Sequence, residues 1–304
     1  MSAKSFPYRT AFIVNPYAGG KRGQNIWKTV ESYLTEHGIK YEAYYTNNDA
    51  GDATRSAERA CKEGAELIVG IGGDGTQKEI VNGIDLEKNI LGVLSGGTAN
   101  GFRRSLKIPQ NPLVALKGLF NWPVIEMDLG QVNNTYFLNS VGMGYDARVS
   151  LTATSQDYWL KGYPGYVSAC LQHAFYPPRP VTVQLDDDEA FTCETFLTLV
   201  ANGRFYGGQM CIAPQARIDD GFLDFELVHP MSFPYKFAGA MLALARNHTW
   251  MKQIETRRIR RAVISCEDDT LPVQVDGETK NMERFPLHFQ VHPKALKIIS
   301  PLYM

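Results

Sequence analysis

The stretch Gly70-Ile71-Gly72-Gly73-Asp74-Gly75-Thr76 sets four glycines and one carboxylate between an apolar run, Leu67 to Ile71, and a segment carrying Ile80, Val81 and Ile84 on one face. That order reads as strand, tight turn, helix. Glycines remove Cβ atoms where backbone must approach something closely, and a helix beginning near Thr76 aims free N–H groups and positive dipole at the same point. A phosphate suits such a place. Asp74 is discordant there, because a carboxylate beside bound phosphate repels it unless a divalent cation or a reacting hydroxyl intervenes. The pattern therefore points to phosphoryl transfer rather than passive anion binding. The phosphate loop G-x-x-x-x-G-K-[ST] is not satisfied, since Gln77 follows Thr76 and no lysine precedes it. Gly70, Gly72 and Gly75 fit G-x-G-x-x-G, but the next strand, Ile90 to Leu94, ends in Ser95-Gly96-Gly97 where a dinucleotide fold needs an acid.

The elements that position these residues repeat one pattern. Ala11 to Val14 reads as a buried strand ending at Asn15-Pro16; Ala18-Gly19-Gly20-Lys21 follows, then a helix with Ile26, Val30, Tyr33 and Leu34 on one face. Lys40 to Tyr45 is strand-like and ends at Thr46, and an alanine-rich helix (Ala50, Ala53, Ala57, Ala60) leads to the strand before Gly72. After Ile90 to Leu94 come Ser95-Gly96-Gly97-Thr98-Ala99-Asn100 and a helix with Phe102 and Leu106. Repeated strand, glycine turn and helix predict a parallel sheet with ligands at the carboxyl ends of its strands. Asn15, Thr46, Asp74 and Thr98 all fall at such ends. Singly each reads as a cap or turn former; four on one sheet edge make a site.

After Asn121-Trp122-Pro123 the alternation gives way to β-rich segments. These are Ile125 to Val132, Tyr136 to Val141, and a hairpin of Val181 to Leu185 with Phe191 to Val200 around Asp186-Asp187-Asp188-Glu189. The acidic run lacks the glycine and closing glutamate of a calcium loop and reads as a solvated turn. Tyr158 to Phe175 carries Trp159, Tyr163, Tyr166, Val167 and Leu171, a face that is core or the border of an apolar substrate. Met231 to Trp250 has helical spacing in Phe233, Phe237, Met241 and Leu244, and strands resume near Arg257.

Composition bounds the partners. The 304 residues are 44% hydrophobic and 21% charged, enough for two soluble domains with a large core. A net charge of −1 supplies no global field for nucleic acid. Cys61, Cys170, Cys193, Cys211 and Cys266 lack C-x-x-C spacing, which argues for reduced cytosol rather than a disulfide frame or zinc site. The longest apolar run, Ala238 to Ala245, contains Gly239 and is too short for a bilayer, so any membrane contact is peripheral.

Taken in order, the motifs Asn15-Pro16-Tyr17-Ala18-Gly19-Gly20, Gly72-Gly73-Asp74-Gly75-Thr76, Gly96-Gly97-Thr98-Ala99-Asn100-Gly101-Phe102, Gly142-Met143-Gly144-Tyr145-Asp146-Ala147, Asp219-Asp220-Gly221-Phe222-Leu223-Asp224 and Asp276-Gly277-Glu278 span nearly the whole chain. In that order and spacing the chain resembles the diacylglycerol kinase catalytic-domain superfamily, which includes bacterial lipid kinases and sphingosine kinases. The glycine-aspartate loop alone is shared with NAD kinases. The resemblance implies an α/β N-terminal domain with a parallel sheet over residues 1–124. It implies a β-rich, antiparallel, sandwich-like domain over 125–304, with the last ten or so residues returning to the first. It implies ATP held by Asn15, Thr46, Gly72, Gly73, Asp74, Gly75, Thr76, Gly97, Thr98 and Asn100, and a structural magnesium on Asp220 with the carbonyls of Arg217 and Phe222. Asp146 would meet the substrate hydroxyl and Glu278 would be the general base, with Asp74 as the second catalytic carboxylate beside γ-phosphate and metal. Gly101 departs from the aspartate many members carry, so any contact assigned to that aspartate is absent or relocated. Arg103 and Arg104 read equally as phosphate or lipid contacts and as solvated helix charges.

The expectation is an ATP- and Mg²⁺-dependent lipid kinase, cytoplasmic and peripheral at the membrane's inner face, with diacylglycerol as first-choice acceptor and no nucleic-acid partner or transmembrane segment. Another lipid (sphingosine, monoacylglycerol or phosphatidylglycerol), NAD or another small molecule, and a nucleotide-binding module without catalysis are the alternatives, and the resemblance leaves room for a homodimer.

Overall fold

The computed structural model describes the chain except residues 1–5, 48, 156–159, 161, 207–209, 233, 237–238, 240–241, 243–246, 268–270 and 280–284. The chain divides into two compact units, Met1–Met127 with Lys294–Met304, and Asp128–Pro293.

In the first unit β1 (Thr10–Val14), α1 (Ala18–Glu36), β2 (Glu42–Tyr45), α2 (Asp52–Lys62), β3 (Leu67–Gly72), α3 (Asp74–Val81), β4 (Ile90–Ser95), α4 (Gly101–Ser105) and α5 (Pro112–Gly118) follow one another. The strands lie in the order β2-β1-β3-β4, all parallel. Every residue of β1 and β3 is buried, which explains their continuous apolar runs: a parallel strand covered on both faces has no polar side to show. Of the stripe expected on helix α1, Ile26, Val30 and Leu34 are buried, joined by Trp27, while Tyr33 is only half-buried. Its first residues are not helical. Gly19, Gly20 and Lys21 run left-handed in succession, with φ of 59°, 69° and 71°, and so turn the chain before the regular helix.

The second unit contains the latter part of β5 (Val124–Val132), β6 (Thr135–Phe137), β7 (Ser140–Gly144), α6 (Tyr145–Thr154), α7 (Gly162–Gln172), β8 (Arg179–Leu185), β9 (Phe191–Thr195), β10 (Leu197–Ala201), the short pair β11 (Phe205–Tyr206) and β12 (Met210–Cys211), β13 (Leu223–Val228), β14 (Ile254–Ile259), β15 (Arg261–Ser265), β16 (Val273–Val275) and the first part of β17 (Leu287–Ile299). One sheet runs β14-β13-β10-β7-β16, and in the other β17, β15, β8 and β9 are neighbours, all of these pairings being antiparallel. Phe137, Val183, Leu185 and Phe289 join Val141, Val200, Phe225 and Val273 from the facing sheet in one buried cluster, the core of an antiparallel sandwich.

Two continuous strands expected from the sequence are broken. Tyr136 to Val141 parts at Leu138 and Asn139, because their N–H groups serve a carboxylate instead of a ladder. Phe191 to Val200 parts at Phe196, where the chain leaves the β8 hairpin for β10 in the other sheet. The helix expected to carry Phe102 and Leu106 is five residues long and stops before Leu106, which is nonetheless buried. Of the helix expected over Met231 to Trp250, Phe233, Phe237, Met241 and Leu244 lie outside the described residues, and His248–Trp250 forms a 3-10 turn. Trp159 also lies outside them.

Candidate active site

In the first unit the carboxyl ends of four parallel strands carry Asn15, Thr46, Gly73-Asp74 and the Ser95–Asn100 turn. The glycine loops interlock through backbone alone. A Cβ on Gly97 would collide with Gly73 Cα, one on Gly19 with the Gly96 carbonyl, and one on Gly23 with the Asn15 carbonyl. Side chains then stitch the loops. Asn15 Nδ2 donates to Thr76 Oγ1 at 3.1 Å while its Oδ1 accepts the Tyr17 N–H, and Arg22 donates to the Gly97 carbonyl at 2.8 Å. Asn100, left-handed at φ 52°, donates from Nδ2 to the same carbonyl at 2.8 Å. In the first unit three side-chain oxygens among the described residues are buried without a partner, Thr46 Oγ1 and Asn100 Oδ1 at the strand ends and Gln77 Oε1 on α3. Thr76 is buried, whereas Thr98 is exposed.

Asp74 is only partly exposed, and its two oxygens accept the N–H groups of Gly101 (2.8 Å) and Phe102 (3.1 Å). It therefore caps α4 from outside, and Gly101 meets the motif's aspartate through its backbone. Burial pushes the Asp74 carboxyl up, against the pull of those two amides and of Arg103. Arg103 is itself engaged, donating to the Ile108 carbonyl at 2.5 Å, so it closes the α4 turn. Each Asp74 oxygen keeps lone pairs beyond its one amide bond, which fits a cation that arrives with a nucleotide.

In the second unit Asp146 opens α6 and is 8% exposed. Its Oδ2 accepts from Gln274 Nε2 at 2.9 Å, and Tyr166 OH approaches Oδ1 at 3.5 Å. Val167 and Leu171 on α7 are exposed, as is Phe175 just beyond its end. Asp276, at φ 51°, accepts the N–H groups of Leu138, Asn139 and Ser140 at 2.7 to 3.0 Å. The Asp276-Gly277-Glu278 turn is thus pinned through its first residue, and Glu278, exposed, closes it by pairing its backbone with Val275. Asn202 continues the network by donating to the carbonyls of Asp128 and Leu138. Asp128 in turn accepts the Gly221 N–H at 2.7 Å, which fixes the Asp219-Asp220-Gly221 turn.

Asp220 does not present an unengaged carboxylate. Its Oδ1 accepts the Phe222 N–H and its Oδ2 pairs with the Arg258 guanidinium, which with that of Arg260 also covers the Phe222 ring. Burial and the charge of Asp220 push neighbouring Asp224 up to about 6. Of the expected donor set, Asp220 Oδ2 is taken by Arg258 as it stands, and a metal ion on that oxygen would have to displace the arginine. Sequence reasoning missed Arg22, Asp128, Asn202, Gln274 and the structural role of Asp276. Only Gln274, a lone amide between Val273 and Val275, carried a local signal.

Among the described residues no helix is long and apolar enough to cross a membrane. Residues 9–132 match the family model of the diacylglycerol kinase catalytic domain, and residues 139–300 match that of the YegS C-terminal NAD kinase beta sandwich-like domain. A diacylglycerol kinase of Staphylococcus epidermidis is 29% identical over 298 residues, 96% of this chain and 92% of that protein. One of Staphylococcus carnosus is 28% identical over 300 residues, 95% and 96% of the two chains. Among solved structures, a diacylglycerol kinase from Bacillus anthracis superposes with a TM-score of 0.72 at 22% identity, covering 97% of each chain. An NAD kinase from Archaeoglobus fulgidus in complex with ATP gives 0.52 at 13% identity, over 96% of this chain and 92% of that one. With both family models matched in sequence order, the chain belongs to the diacylglycerol kinase catalytic-domain superfamily, a family of phosphotransferases.

Proposed function

We propose that the chain is an ATP- and Mg²⁺-dependent lipid kinase that transfers the γ-phosphate to a lipid hydroxyl, diacylglycerol being the acceptor that fits best, at the cytoplasmic face of a membrane. The observation that carries this reading is that Thr46 Oγ1 and Asn100 Oδ1 are buried and unpartnered at the strand ends, beside loops packed too closely for a Cβ at Gly19, Gly23 or Gly97. A buried polar atom costs about 1–3 kcal/mol when left unpaired, so each asks for a ligand donor or acceptor. Phosphoryl transfer needs alignment, charge neutralisation and an oriented nucleophile, and little covalent chemistry from the protein. The first unit supplies the cradle: loop amides for phosphate, with Asp74 as the carboxylate for the metal that neutralises phosphate charge. The second supplies Asp146 to meet the acceptor hydroxyl and Glu278 to take its proton. The exposed Val167, Leu171 and Phe175 support an apolar acceptor.

Incubation of purified protein with labelled ATP and mixed micelles of diacylglycerol, monoacylglycerol, sphingosine or phosphatidylglycerol, with NAD in a separate reaction, tests the reading. Labelled phosphatidic acid at a rate that follows lipid surface concentration is expected; labelled NADP alone, or no labelled product, sinks it. In the same assay Glu278→Gln should leave ATP binding within a fewfold while kcat falls on the order of 10²-fold, the usual loss with a missing base. Should ATP affinity collapse with kcat intact, the base role passes to Asp74 or Asp146.

A further inference from the structure

Gln274 is fully buried in the middle of β16, flanked by Val273 and Val275, where an apolar side chain would serve the core better. Both ends of its amide are engaged. Nε2 donates to Asp146 Oδ2 at 2.9 Å, and Oε1 accepts the Gly277 N–H at 2.5 Å. The first partner stands at the start of α6, 128 residues earlier; the second is the N–H of the Asp276–Gly277 peptide, on the residue before Glu278. The next peptide, Gly277–Glu278, is held as well, because Ser150 Oγ donates to the Gly277 carbonyl at 2.9 Å. Ser150 lies four residues beyond Asp146 on the same helix, hence on the same face. Opposite Gln274 on β7 stands Gly142, where a Cβ would overlap Asp146 Oδ2 and crowd Gln274 Nε2. A glycine here makes room for the pair itself.

We propose that Gln274 is a positioning residue that yokes Asp146 to the Gly277 N–H at the base of Glu278, fixing the spacing between the carboxylate that meets the acceptor hydroxyl and the carboxylate that takes its proton. This rests on the functional reading above. The amide suits the task because it offers one donor and one acceptor without charge: an acid would repel Asp146, and an apolar residue would hold neither partner. The ionisable groups facing the pair are Tyr166 and Cys170 from α7, Tyr145 beside Asp146, and Asp276 in the same turn. Burial pushes both Tyr145 and Cys170 up, Cys170 to about 11, so neither ionises between pH 5.5 and 8.5.

Three variants assayed with labelled ATP and diacylglycerol micelles over that pH range test the yoke. Gln274→Leu should lower kcat by about 30-fold or more while KM for ATP stays within about twofold, since an ångström of misplacement costs on the order of 10²-fold. Gln274→Glu carries the decisive readout. A protonated glutamate reproduces the amide's donor and acceptor, whereas an ionised one faces Asp146 with like charge. The ratio of its kcat to wild type should therefore climb about fivefold or more as pH falls from 8.5 to 5.5. Gly142→Ala should lower kcat in the same sense as Gln274→Leu. A Gln274→Leu variant within about threefold of wild-type kcat overturns the proposal, as does a pH-independent ratio for Gln274→Glu. Should Gln274→Leu fail to fold, the Gln274→Glu ratio decides alone. A wild-type chain that phosphorylates no lipid overturns the functional reading and the yoke together, whereas an active wild type with unimpaired variants overturns only the yoke.

Discussion

The glycine loops of the first unit and the carboxylate turns of the second solve the same problem with different materials. In the first, strand ends are brought to bonding distance by removing side chains: Gly73 lies against Gly97, Gly19 against Gly96 and Gly23 against Asn15. In the second, side chains do the joining. Asp276 gathers three consecutive amides, Asn202 ties two carbonyls, and Gln274 spans from Asp146 to Gly277. A backbone-built site presents N–H groups whose positions hardly depend on any one residue's chemistry. A side-chain-built site can place carboxylates precisely but hangs on single atoms. The first arrangement suits holding phosphate; the second suits aligning a hydroxyl and a proton acceptor.

If this contrast is right, removing one side chain should unmake the second unit's turn and leave the first unit's cradle standing. Asp276→Ala should show the largest effect, since it strands three buried N–H groups and puts alanine at a left-handed φ; we expect a loss of about 3–5 kcal/mol in stability by urea denaturation. A loss below about 1 kcal/mol would mean the turn is held by something other than its carboxylate. Next, Asp74→Asn should lower kcat by at least about 10²-fold, roughly 3 kcal/mol of transition-state stabilisation. It should also lower thermal stability slightly, because an amide can cap only one of the Gly101 and Phe102 N–H groups well. A variant keeping more than about half of wild-type kcat with saturating ATP and Mg²⁺ would remove Asp74 from the chemistry. Thr46→Val, which keeps shape and deletes the unpartnered hydroxyl, should raise KM for ATP by about 5-fold, near 1 kcal/mol, with stability unchanged or slightly higher. Unchanged KM would leave the buried hydroxyl without a ligand role. The smallest effect concerns Asp220. With Arg258 on its carboxylate, Mg²⁺ should raise the wild-type Tm by no more than about 1–2 °C, and raise that of Arg258→Ala by more. Equal Mg²⁺ shifts in wild type, Arg258→Ala and Asp220→Ala would take this carboxylate out of metal binding.

The same contrast explains what the sequence made legible. Each strand, glycine turn and helix of the first unit is contiguous in the chain, so Asn15, Thr46, Asp74 and the Gly96–Asn100 loop could be placed on one sheet edge from periodicity and turn chemistry. What stayed hidden there was the direction of the Asp74 oxygens, which depends on where α4 returns. In the second unit the decisive bonds join Leu138 and Asn139 to Asp276 and Asp128 to Gly221, across 138, 137 and 93 residues. No local pattern encodes such partners. The apolar run through Leu138 even argued for an unbroken strand, since hydrophobicity reports burial and says nothing about which acceptor takes an N–H.

One feature of the first unit bears on how the molecule is made. The end of β17 pairs in parallel with β4, Lys297 with Ile90 and Ile298 with Leu91, and Ser300 Oγ donates to the Leu106 carbonyl. The strand that flanks β4 is thus translated only after the whole of Asp128–Pro293, a wait on the order of ten seconds or more at ordinary rates of synthesis. During that time the emerging first unit displays an apolar, unpaired strand edge at Ile90 and Leu91, the kind of surface that recruits chaperones or neighbouring nascent chains.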